Sequence, residues 1–168
     1  MTLSITYKFF SDLNTFHDYI DQQFLDHQIT LMHGNVAAAY SSLVHLRALI
    51  KQHIHDEEEY LLPLYINLVR PVPKGGAVEF YRREHRTINR SLDDFIIELH
   101  GWSGQEAGNL RLVRLFDRYY KFKELLDHHH ARERIFLYRL LDRVVHKKAI
   151  AETLERISHN QEKVLSHV

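Results

Sequence analysis

Residues 36–64 read VAAAYSSLVHLRALIKQHIHDEEEYLLPL, and the spacing of their apolar positions decides the fold. Val36, Ala39, Leu43, Leu46 and Ile50 follow one another in steps of three and four, and His53, Glu57, Leu61 and Leu64 continue the same stripe. Such steps line one face of an α-helix, whereas a half-buried strand needs alternation by two. Pro63 falls inside the pattern and predicts a kink just after Glu57. A histidine and a carboxylate on the buried face are the anomaly, because burying either without a partner costs several kcal/mol.

The same spacing recurs on both sides of this stretch. Before it, Phe10, Leu13, Ile20, Phe24 and Leu31 form a stripe whose gaps are filled by His17 and His27. After it come Val78, Tyr81, His85, Ile88, Leu92, Phe95 and Leu99, then Leu112, Leu115, Tyr119, Phe122, Leu126, His129, Glu133, Phe136, Leu140 and Val144. Turn residues separate the four segments at Gly34-Asn35, at Pro71 to Gly76, and from Gly101 through Gly108. Four helices joined by short breaks predict an all-α, up-down-up-down antiparallel four-helix bundle over residues 1–146. In the extension at 147–168, Ile150, Leu154, Ile157, Val164 and Leu165 give an amphipathic pattern for a fifth helix, which would cap the bundle or meet a partner, a second copy included.

Composition narrows the function classes. The 168 residues suffice for one buried core. Lys+Arg and Asp+Glu balance at 22 each, so there is no basic footprint for nucleic acid or an anionic membrane. No apolar run reaches the length of a membrane span and no basic-then-apolar leader opens the sequence, which leads us to expect a cytoplasmic protein. The absence of cysteine removes thiolate ligands and disulfides and fits a reducing compartment. Histidine stands out, with 14 residues.

Those histidines sort by phase. Three His-x-x-x-Glu pairs occur, His53/Glu57, His55/Glu59 and His129/Glu133, where about one is expected by chance in this composition. His55 and Glu59 lie roughly 200° around the helix from the stripe and should face water. In the run His128-His129-His130 only His129 is in phase with Glu133, so its neighbours are expected at the solvent side or just outside the ligands. On the first helix, height chooses between two candidates. His53 stands about 28 Å beyond Gly34, His17 about 26 Å before it and His27 only about 10 Å. His17 is therefore level with His53, and His27 is expected to be a hydrogen-bonded core residue. On the third helix His85 is the one histidine on the stripe. Tyr81 and Tyr119, also on stripes, are expected to be structural aromatics, with support of redox steps as their alternative role.

Four histidines (His17, His53, His85 and His129) and two glutamates (Glu57 and Glu133) thus converge on one level. They divide into two sets of two imidazoles and one carboxylate, a ligand type that suits iron and leaves coordination positions open. Carboxylates from opposite helices can bridge two metals, and six donors exceed what a closed four-coordinate zinc site needs. Open positions beside iron imply small ligands such as water, dioxygen, peroxide or nitric oxide.

With His17, the stretch His53-Ile54-His55-Asp56-Glu57-Glu58-Glu59-Tyr60-Leu61-Leu62-Pro63, then Glu84-His85-Arg86 and His129-His130-Ala131-Arg132-Glu133, the chain resembles the hemerythrin-like family, the HHE cation-binding domains. The likeness runs from about His17 to Leu141, and Pro63 fixes His53 rather than His55 as the ligand. It implies a non-haem di-iron centre bridged by the two glutamates and an oxo or hydroxo group. It implies binding or sensing of dioxygen, nitric oxide or related redox species, or, alternatively, an enzyme acting on peroxide, in oxidative or nitrosative stress, or in iron handling. Oxygen-carrying members have a second histidine where this chain has Asn89, and His-x-x-x-x-Asp where it has His-x-x-x-Glu. Both departures make the site more symmetric and argue against simple oxygen transport.

Overall fold

A computed structural model describes residues 6–102 and 109–166. Among these the chain is all-helical, as the spacing predicts. A 3₁₀ turn (Phe10–Leu13) leads into α1 (Asn14–Met32), followed by α2 (Val36–Asp56). A π-helical turn (Glu57–Leu61) joins α2 to α3 (Leu62–Leu68), and α4 spans Val78–His100. A second π-helical turn (Glu133–Tyr138) joins α5 (Asn109–Arg132) to α6 (Arg139–Val144), and α7 runs over Lys147–Ser166. Of the expected turn at 101–108, Gly101 and Trp102 close α4 and the rest lies outside the described residues. No helix among the described residues is long and apolar enough to cross a membrane.

Local chemistry sets the ends of these helices. Gly34 takes φ +77°, a conformation that side chains disfavour, and Asn35 then accepts the Ala38 N–H to start α2. At the beginning of the chain the Asp142 carboxylate accepts the N–H groups of Phe10 and Ser11 at 2.6 and 3.1 Å, which ties the first turn to α6. α1 and α2 fold back on each other: near the turn His27 meets Ala39 and Ser42, and far from it His17 meets His53.

Two apolar cores result. One gathers Phe16, Ile20, Phe24, Leu43, Leu46, Ile88, Leu92, Phe95 and Phe122; the other Phe10, Leu13, Leu61, Leu62, Tyr65, Tyr81, Leu137, Leu141 and residues of α7. On each long rod the predicted polar positions fall where one core gives way to the other: His17 between Leu13 and Ile20, His53 and Glu57 between Ile50 and Leu61, His85 between Tyr81 and Ile88, His129 and Glu133 between Leu126 and Leu137. The inner face of α7 is already covered, through buried Ile150, Leu154 and Ile157 and through Asn160, which donates to Asp56 at 2.8 Å.

The simple stripe fails at one kind of place. Beyond Glu133 the expected inward residues were Phe136, Leu140 and Val144, yet Leu137, Leu141 and Val145 are the buried ones. Beyond Leu61, Tyr65 is buried and Leu64 only partly. Each π-helical turn inserts one extra residue and advances the register by one. The expected kink after Glu57 takes the form of this wide turn, with Pro63 in the first turn of α3 where its missing N–H is tolerated.

Candidate metal centre

The six predicted side chains come together in the layer between the two cores. All are buried, with at most 4% of their surface exposed. Donor atoms of Glu57, His85, His129 and Glu133 lie within 4.8 Å of one another, and those of His17, His53 and Glu133 form a second such group.

Each carboxylate faces both groups. Glu133 Oε1 lies 2.6 Å from His129 Nε2, while its Oε2 lies 3.0 Å from His17 Nε2 and 3.9 Å from His53 Nε2. Glu57 Oε2 lies 3.2 Å from His85 Nε2 and 3.9 Å from His129 Nε2, while its Oε1 is 3.7 Å from His53 Nε2. Only the approach of His85 Nε2 to Glu57 Oε2 has hydrogen-bond geometry. His129 Nε2 and both oxygens of Glu133 are buried with no hydrogen-bond partner, because the angles fail even where the distances are short. Lone pairs aimed at a shared point rather than at each other are what a bound cation requires. With ligand bonds of about 2.0–2.2 Å, neighbouring donors around one ion stand about 3 Å apart, close to what is found. The donor set therefore fits a pair of metal ions.

The histidines on α4 and α5 are held from behind by carboxylates. His85 donates Nδ1–H to Glu58 Oε1 at 2.7 Å, and His129 donates Nδ1–H to Glu84 Oε2 at 3.1 Å. Arg132 in turn donates from Nε and Nη2 to Glu84 Oε1 at 3.1 and 3.0 Å. A carboxylate can only accept, so each ring carries a proton on Nδ1, which leaves Nε2 as the nitrogen that faces the layer and would hold a metal. His17 and His53 sit instead among rings: His130 stacks on His17 with centroids 3.9 Å apart, and Phe16 lies 5.8 Å from His53.

Charge in the layer is balanced internally. Burial would neutralise Glu133, yet His129 and His17 hold its carboxyl well below the usual range. Burial likewise opposes a charge on His129, but Glu133, Glu84 and Glu57 outweigh it and raise that imidazole to about 10. Burial raises Glu84 too, but His129 and Arg132 bring it below its ordinary value. Glu133 and Glu84 thus keep their charge beside cations, and a proton on His129 occupies the place that a metal would take.

His55 and Glu59 are exposed, and His128 is exposed beside Arg132. His130, expected outside the ligands, is buried at 7% because its ring lies flat on His17. His27 is a core residue: Nδ1 donates to the Ala39 carbonyl at 2.9 Å and Nε2 accepts from Tyr119 at 2.8 Å, which also accounts for Tyr119. Tyr81 donates to the Arg132 carbonyl at 3.3 Å. Asn89 lines a surface cavity of about 560 Å³ with Glu58, Arg82, Arg86 and His85, the one predicted ligand that borders it.

Sequence reasoning missed the roles of Glu58, Glu84 and Tyr138. The last donates to Glu57 Oε1 at 2.7 Å and lies 3.1 Å from His17 Nε2. A signal for it exists: His53, Glu57, Leu61, Tyr65, Val69 and His129, Glu133, Leu137, Leu141, Val145 are all buried and each series advances four times by four. A straight α-helix drifts about 40° at each such step, roughly 160° over the series, so an unbroken run of fours calls for a wider turn. No family model, no curated protein and no solved structure matches this chain.

Proposed function

We propose that the chain is a hemerythrin-like non-haem di-iron protein that binds or senses dioxygen, nitric oxide or related redox species. In this reading the helices form an up-down-up-down bundle in a cytoplasmic protein. His17 and His53 hold one iron, His85 and His129 hold the other, and Glu57 and Glu133 bridge the two. The observation that carries it is the pair of buried glutamates, each presenting one oxygen to each pair of histidines. When bound, the irons supply open positions where small oxygen- or nitrogen-containing ligands attach. The chain's own contribution is orientation and exclusion. Glu58 and Glu84 fix the ring tautomers, Arg132 fixes Glu84, and the two apolar cores keep water from the layer.

A second reading is an enzyme that consumes peroxide. It is favoured by the buried Tyr138 hydroxyl against Glu57, which can hold or deliver a proton beside the centre. Metal analysis of anaerobically purified protein tests the site. About two irons per chain are expected, falling in both His53→Ala and His129→Ala; a metal-free wild-type protein would sink the proposal. Steady peroxide turnover that disappears in Glu133→Ala would select the enzyme.

A further inference from the structure

The two groups of donors are unequal: Glu57, His85, His129 and Glu133 cluster on one side, whereas on the other His17, His53 and Glu133 cluster and Glu57 Oε1 stands off at 3.7 Å from His53 Nε2. We infer that Tyr138 is a further donor there, a phenolate ligand on the His17/His53 side. This rests on the two-metal reading above and adds to it a residue outside the six.

Position supports the assignment first. The Tyr138 oxygen stands 3.1 Å from His17 Nε2 and 2.7 Å from Glu57 Oε1, the separations found among the other donors, and its side chain is fully buried. Two donors on one ion are expected about 3 Å apart. The helix explains how it gets there. Five residues of straight α-helix end about 140° from where they began, which would turn Tyr138 away from Glu133. The π-helical turn spans Glu133–Tyr138, and its extra residue brings both ends to one face. The matching position in the first half, five residues after Glu57, is Leu62, which is buried but has nothing to coordinate with. The wide turn serves packing there and places a hydroxyl here.

Ligation exchanges one bond for another: the O–H bond breaks, the oxygen binds the metal and the proton leaves to solvent. A phenol beside carboxylates keeps its proton until a cation arrives, and a trivalent ion at that point favours the phenolate. With Tyr138 filling the His17/His53 side, the open position belongs to the His85/His129 side, where the cavity beside Glu58 and Asn89 meets His85.

The test is spectroscopic and needs no turnover. Oxidised, iron-loaded wild-type protein should show a visible phenolate-to-iron band and resonance-enhanced tyrosine ring vibrations that move when ring-deuterated tyrosine is incorporated. In Tyr138→Phe the band and vibrations should vanish, while iron analysis still finds close to the wild-type content. Iron-loaded wild-type protein without these vibrations, or Tyr138→Phe retaining them, overturns the inference and leaves the two-metal centre standing. A wild-type chain that binds no iron overturns both. If circular dichroism finds Tyr138→Phe unfolded, the wild-type deuteration shift and its persistence in Tyr81→Phe decide the matter; a shift lost in Tyr81→Phe overturns the inference.

Discussion

His27 and His17 occupy the same stripe of α1, ten positions apart, and their surroundings give them different chemistry. His27 has each ring nitrogen engaged by an uncharged partner, Ala39 and Ser42 on one side and Tyr119 on the other. Burial lowers its pKa from 6.5 to about 4, only partly opposed by the bond to Ala39. A depressed imidazole favours folding in its neutral form. That contribution is complete above pH 6.5 and is lost as the pH falls toward about 4. Urea unfolding of the metal-free protein should therefore weaken across this interval, and the loss should be shallower in His27→Gln, whose amide does not titrate. Equal slopes would contradict this assignment. The difference between His27 and His17 was legible as height along the hairpin. The supports Glu58 and Glu84 were not: Glu58 lies off the stripe of its own helix, Glu84 is buried three residues after Tyr81, and each acquires its role only when the neighbouring rod is beside it.

At the scale of an element, the two π-helical turns connect packing to chemistry. They let four steps of four stay buried where a straight helix would carry the series around to solvent. Ile135 lies within the second turn and is half exposed, so removing it takes away the surplus residue without opening the core. The deletion should keep Leu137, Leu141 and Val145 on the straight-helix stripe and retain helical circular dichroism and a cooperative melt, and Tyr138, then four residues from Glu133 and about 40° round, stays on the same face. Metal affinity, read by competition with a chelator, should therefore stay within about tenfold of the wild type. A larger loss would mean that the wide turn itself sets the geometry of the centre. Helix type and extent followed from apolar spacing alone, whereas the register after each turn did not, because only the unbroken series of fours betrays an inserted residue.

Across the whole molecule, a polar layer separates two apolar cores and is the least self-sufficient part of the fold. Its Glu133 oxygens and His129 Nε2 lack aligned partners, so a cation there should stabilise the folded chain by mass action. One site at a hundredfold excess of free metal over its dissociation constant gives about 2.7 kcal/mol. For a chain of this size that corresponds to roughly 5–10 °C in Tm. Scanning calorimetry should find the stripped protein melting lower by about this margin, and His53→Ala should respond far less to stripping. Identical midpoints with and without metal would leave the layer as a purely internal charge network. The all-helical class and the convergence of six side chains were readable from phase and height. What stands behind each ligand was not, since it depends on which helices become neighbours.

Carboxylates back the imidazoles of α4 and α5, while aromatic rings back those of α1 and α2. If the proposed pair of irons occupies the layer, such unlike surroundings would keep the two from sharing an added electron evenly. A half-reduced centre should trap its valences, ferrous on one side and ferric on the other, and carry a paramagnetic resonance that neither the fully oxidised nor the fully reduced pair displays.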